Sequence, residues 1–156
     1  MSINSSQFTC TKSYKDFPCS HRQWRHAGHC RFVHGYSRSF TFWFSAKSLD
    51  INGFVVDFSS LKLLEERLKN QFDHTFLVNK DDPILSYFQK LHDLEALDLR
   101  IMENVGMEYS SKLVWSWANE YLIEKDKGRT CCWKTESREN NSNGAYYEEY
   151  PNWYLV

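Results

Sequence analysis

The chain alternates most regularly over residues 30–46, CRFVHGYSRSFTFWFSA, where Phe32, His34 and Tyr36 share a parity that Phe40, Phe42 and Phe44 continue. A period of two with aromatic enrichment predicts a long, half-buried strand. Upstream, the stretch from Phe8 to about His21 alternates more loosely and predicts a preceding strand, with RQWRHAG as the connecting loop. DINGF signals a turn, followed by the short apolar run FVVDF. The period becomes helical in SSLKLLEERLKNQF, where Leu61, Leu64 and Leu68 form a stripe behind Ser59 or Ser60 as N-cap. SSKLVWSWANEYLIEK is a second helix, with Leu113, Trp117 and Tyr121 on one stripe and Val114 and Leu122 beside it. RTCCWKTES and AYYEEYPNWYLV predict two closing strands around the turn-rich RENNSNG. DHTFLVNKDDP breaks the pattern as a polar loop ending in proline, and residues 83–108 read equally as a helix or a lid.

Two strands, two main helices and two strands, in that order, predict an α+β fold in a single domain spanning residues 1–156. The sheet is mainly antiparallel and covered by helices on one face. Its other face is expected to carry the aromatic side chains of the long strand, which predicts a homo-oligomer that buries them.

Composition narrows the function. At 156 residues the chain can bury a proper core. A formal charge of -1 lacks the basic field of a nucleic-acid binder, so no nucleic-acid partner is expected. No apolar run approaches the roughly eighteen residues of a membrane span, so no membrane partner is expected either. MSINSSQFTCTKSYK lacks the apolar segment of a signal peptide, which predicts a cytoplasmic protein. Five cysteines, an odd number, fit free thiols better than a disulfide scaffold.

Candidate chemistry concentrates in residues 19–37, CSHRQWRHAGHCRFVHGYS, which hold four of the six histidines. His21 ends one strand and His34 lies in the next, so the two can converge across the hairpin. Neutral imidazoles at such a place suit zinc, which typically takes three protein ligands at a catalytic site. Cys30 stands among Arg22, Arg25, Arg31 and Arg38, and cationic neighbours favour a thiolate, so Cys30 is a candidate nucleophile or base. Asp73 beside His74 is a pair suited to proton transfer, or a solvated loop dipeptide. Glu136 is either a solvated strand carboxylate or an acceptor for the paired N–H groups of a heterocycle. The arginines form either a phosphate-binding group or a solvated face.

In order, CSH at 19–21, CRFVHGY at 30–36, GFVVDFSSLK at 53–62, FDHTFLVN at 72–79 and KTES at 134–137 followed by AYY resemble the motifs of the 6-pyruvoyltetrahydropterin synthase / 6-carboxytetrahydropterin synthase family. The resemblance implies a tunnelling fold: a four-stranded antiparallel sheet with two helices on one face, trimerising into a barrel and pairing into a hexamer. It implies zinc as cofactor and a lyase acting on 7,8-dihydroneopterin triphosphate at a subunit interface, most like the carboxy enzyme of deazapurine (queuosine) biosynthesis. Cys30 becomes the proton-abstracting thiolate, Asp73 and His74 a relay, Glu136 the pterin anchor, and Arg22 or Arg25 a triphosphate contact.

Two departures from the family pattern stand out. The family's His-Gly-His is His-Gly-Tyr here, with Tyr36 at the third ligand position. His21 and His34 then need another donor, for which His29 is the first choice and His26 and Cys19 the others. The second main helix begins YSSK, with Lys112 where the family's Thr-Ser-Glu start has its acid. A non-catalytic, pterin- or purine-binding member without the usual metal is the alternative reading.

Overall fold

The computed structural model describes residues 7–154. Its elements are β1 (Phe8–His21), β2 (His34–Ala46), α1 (Lys62–Phe72), β3 (Thr75–Asn79), α2 (Leu85–Asp93), β4 (Leu99–Met102), α3 (Met107–Asp126), β5 (Thr130–Arg138) and β6 (Gly144–Glu148). Short 3-10 turns cover His29–Arg31, Phe58–Leu61 and Asn152–Tyr154.

β1 and β2 form a long antiparallel hairpin, with Phe8 opposite Ala46 at one end and His21 opposite His34 at the other. An extra turn of register between Tyr14 and Phe17 bulges β1, with Asp16 at φ 68°. Phe40, Phe42 and Phe44 are fully buried. They meet Leu64, Leu68 and Phe72 of α1 and Val114, Trp117 and Leu122 of α3 in the main core. α1 follows a turn in which the Asp57 carboxylate accepts from the Ser59 N–H. Its Leu64, Leu68 and Phe72 recur every four residues, which is why one stripe suffices to dock it. α3 stops at Lys127 in a left-handed conformation, followed by Gly128 at φ 84°.

The sheet is not four-stranded and antiparallel. It has six strands in the order β4-β3-β1-β2-β5-β6. The expected four, β1, β2, β5 and β6, pair antiparallel, while β3 adds parallel to β1 and β4 parallel to β3. Every residue of β3 is buried. A strand covered on both faces has no alternation to reveal it, so TFLVN reads as part of a loop. Leu77 belongs to the main core, whereas Phe76 and Val78 turn to the other face and pack on Phe88 of α2. α2 therefore lies on the face opposite α1 and α3, and residues 83–108 hold a helix and a strand rather than a lid.

The aromatic stripe of β2 lies beneath the helices, contrary to the expectation that it faces outward. Its buried residues alternate with Ser37, Ser39 and Thr41, which face away, and Thr41 Oγ1 pairs with Ser13 Oγ at 2.8 Å. The stripe accordingly gives no reason for further copies to cover that face. Among the described residues no helix is long and apolar enough to cross a membrane.

Candidate active site

Two cavities hold the candidate residues. The first, of about 290 Å³, lies at the loop end of the β1–β2 hairpin and is lined by His21, Cys30, His34, Tyr36, Glu108 and Glu139 among others. Strand pairing brings the imidazoles together: His21 and His34 are register partners with ring centroids 4.5 Å apart. Tyr36 follows at the next position on the same face, its ring 5.6 Å from His34 and 6.3 Å from His21. Gly35 between them has a steric role, because a Cβ there would lie 2.9 Å from the Cys19 carbonyl oxygen of β1.

The loop joining β1 to β2 decides which of its residues enter. The Gln23 N–H donates to the Cys30 carbonyl at 2.9 Å, and the 3-10 turn His29–Arg31 brings Cys30 into the cleft wall. In such a tight turn neighbours diverge, and His29 is left exposed. His26 is also exposed and accepts from the Gly28 N–H through Nδ1 at 3.0 Å. Cys19 is buried opposite Tyr36, and burial raises its thiol pKa. None of the three proposed substitutes thus joins His21 and His34. Among the described residues no three His, Cys, Asp or Glu side chains are arranged to hold a metal ion.

His21 has a further partner. The fully buried Arg38 donates through Nη2 to His21 Nδ1 at 3.3 Å and to the Val105 carbonyl at 2.9 Å, and through Nη1 to Ser110 Oγ at 2.9 Å. Burial first, then the charge of Arg38 and the proximity of His34, pull the His21 pKa down to about 3. The residues present do not fit zinc: one imidazole is engaged by a guanidinium, the third position is a phenol, and the loop histidines lie elsewhere. His29 with His21 and His34, expected as the ligand set, is not assembled.

Sequence reasoning missed one residue of the cleft, Glu108, and misplaced another behind it, Arg38. α3 begins at Met107, not at YSSK, so the acid of its first turn is Glu108, which lines the cleft, and Lys112 lies beyond that turn. Gly106 ahead of an acid was the available signal. Arg38 had the parity of Phe40, which should have marked it as a core residue rather than part of a basic patch.

The second cavity, about 570 Å³, lies on the face away from α1 and α3 and is bordered by Pro18, Ser20, Ser37, His74, Phe76 and Asp98. Asp73 and His74 do form a pair, with His74 Nδ1 2.6 Å from Asp73 Oδ1 and His74 at φ 57°. His74 lines this cavity and not the cleft of Cys30, Asp73 lines neither, and Tyr36 contributes to the lining of both. Glu136 lines neither; it lies between Thr41 and Tyr146 in the sheet and accepts from Arg138 Nε at 2.7 Å. Arg22 is held by the buried Asp82 at 2.8 Å, and Arg25 pairs with Asp81 and stacks on Trp24. Both arginines are thus ion-paired within the chain, and among the described residues no lysine or arginine lines the cleft.

Comparison with known proteins agrees with this architecture. The family model described as 6-pyruvoyl tetrahydropterin synthase matches residues 9–150. A 6-carboxy-5,6,7,8-tetrahydropterin synthase of Rickettsia conorii is 27% identical over 96 residues, 61% of this chain and 67% of that protein. The Rickettsia typhi protein of the same name is 32% identical over 74 residues, 47% of this chain and 53% of its own length. Among solved structures, an uncharacterized protein of Wolinella succinogenes superposes with a TM-score of 0.79 at 17% identity, covering 92% of this chain and 99% of that one. The 6-pyruvoyl tetrahydropterin synthase of Plasmodium falciparum gives a TM-score of 0.64 at 16% identity, with the same coverage. The chain belongs to the 6-pyruvoyl tetrahydropterin synthase family.

Proposed function

We propose that this protein is a tetrahydropterin synthase-like lyase acting on 7,8-dihydroneopterin triphosphate or a close relative, most like the 6-carboxy enzymes it resembles. One observation carries the reading: the hairpin end gathers Cys30, His21, His34 and Glu108 around one cleft large enough for a hydroxylated side chain. Cys30 Sγ takes the proton from a side-chain carbon next to a hydroxyl, and the imidazoles and Glu108 hold the hydroxyls by hydrogen bonds. Glu136, which lines neither cavity of one chain, anchors the pterin N–H groups by its match to the family pattern, and this too requires a neighbouring copy to bring the ring to it. His74 lines another cavity, with Asp73 beside it, so their part in proton relay requires a neighbouring copy in a homo-oligomer, which would also supply the cations for triphosphate.

Incubation of the purified chain with 7,8-dihydroneopterin triphosphate, followed by chromatography of pterins and free triphosphate, tests the reading. A new pterin with stoichiometric triphosphate release supports it, and an intact substrate refutes it. A second reading, a pterin- or purine-binding module without turnover, is favoured by Tyr36 at the family's third ligand position and by Arg38 bonded to His21. It predicts heterocycle binding that is lost in Glu136→Gln, with no triphosphate released.

A further inference from the structure

Arginine can only donate hydrogen bonds, so the contact between Arg38 Nη2 and His21 Nδ1 requires Nδ1 to be the acceptor. The neutral ring then carries its proton on Nε2. His34 has the opposite constraint: its Nδ1 lies 2.7 Å from the Phe32 carbonyl oxygen, which can only accept. His34 therefore carries its proton on Nδ1 and keeps a free lone pair on Nε2. The two rings, 4.5 Å apart, are thus a donor and an acceptor rather than two lone pairs aimed at a cation.

Arg38 is built in to enforce this. Its side chain is fully buried, its partners are Ser110 Oγ, the Val105 carbonyl and His21, and none of these is a carboxylate. Among the described residues its Nε has no hydrogen-bond partner. A buried guanidinium beside an imidazole also opposes any second cation at the same ring by direct repulsion. Tyr36, on the same face, removes the third donor that a metal would need.

We propose that Arg38 is a positioning residue that locks His21 as the Nε2–H tautomer, so that His21 and His34 grip a substrate hydroxyl as a donor–acceptor pair in place of a zinc ion. The hydroxyl as occupant rests on the reading of the cleft given above. The tautomers and the exclusion of zinc do not.

Nitrogen-15 correlation spectra of the full-length protein read the tautomers directly, without turnover. His21 is expected to show a protonated Nε2 and a bare Nδ1, and His34 the reverse. Arg38→Gln is expected to give His21 a mixture of tautomers, while Arg38→Lys keeps the wild-type pattern. A wild-type His21 protonated on Nδ1 overturns the proposal. Equilibrium dialysis against zinc, with elemental analysis, supplies the second arm. The wild type is expected to take up no stoichiometric zinc, and Tyr36→His with Arg38→Met to take up one ion per chain. One zinc per wild-type chain, lost in His21→Ala, overturns the proposal, as does equal zinc affinity of Tyr36→His with and without the Arg38 change. An absence of lyase activity would sink the functional reading and leave these two readouts unaffected.

Discussion

Arg38 and His21 are joined by a hydrogen bond of 3.3 Å from a guanidinium that is completely buried. The bond links the core beneath α3 to the cleft at the end of the hairpin, because the same guanidinium also holds Ser110 and the carbonyl of Val105. Core stability and site geometry therefore share one side chain.

Arg38→Ala leaves a cavity and strips three buried acceptors, and it should destabilise the protein by about 3 kcal/mol or more. Arg38→Met fills most of the volume and removes a buried charge that no carboxylate hydrogen-bonds, although Glu139 acts on it through space. Its loss should stay below about 2 kcal/mol. Urea denaturation of the two variants measures the difference, and equal losses would contradict it.

Gly35→Ala places a methyl 2.9 Å from the Cys19 carbonyl, a backbone atom that cannot swing aside. The hairpin must part locally, at roughly 1–3 kcal/mol. A lowered melting temperature is expected, together with altered His21 and His34 resonances, since both flank this pair. Unchanged stability would show that the strands separate freely here.

His21 folds neutral with its pKa near 3, against an ordinary value of 6.5. Below that ordinary value the unfolded chain binds a proton that the folded chain refuses. Its contribution is thus complete above about pH 6.5 and is lost as pH falls toward 3, with a limiting slope of about 1.4 kcal/mol per pH unit. His21→Gln should flatten the stability profile between pH 6.5 and about 4, where few carboxylates yet titrate. Parallel profiles for the two proteins would exclude His21 as the source.

Cys30→Ser keeps size and backbone at a half-buried position of a 3-10 turn. If Cys30 is the base, triphosphate release should fall at least about 100-fold with the melting temperature nearly unchanged. A loss of less than about threefold would move the proton abstraction to another group.

The sequence by itself determined the frame on which the site is built. Alternation over residues 30–46 and the stripes of Leu64, Leu68, Val114 and Trp117 are local, periodic signals. They specify β2, α1 and α3 because burial of one face follows the period of the backbone. The convergence of His21 and His34 was also legible, since a hairpin places strand ends opposite each other. Tertiary structure decided the rest. β3 is sandwiched between two packed faces, so its pattern is uniform rather than periodic, and β4 finds its place only beside it. Whether His29 or Cys30 enters the cleft depends on one turn of 3-10 backbone, and composition does not encode that choice. His74, with Asp73 bonded to it, falls on the second cavity because β3 adds at the far edge of β1. Arg38 became part of the site only when the fold buried it against His21, where a charge without water must find whatever acceptors the packed chain provides.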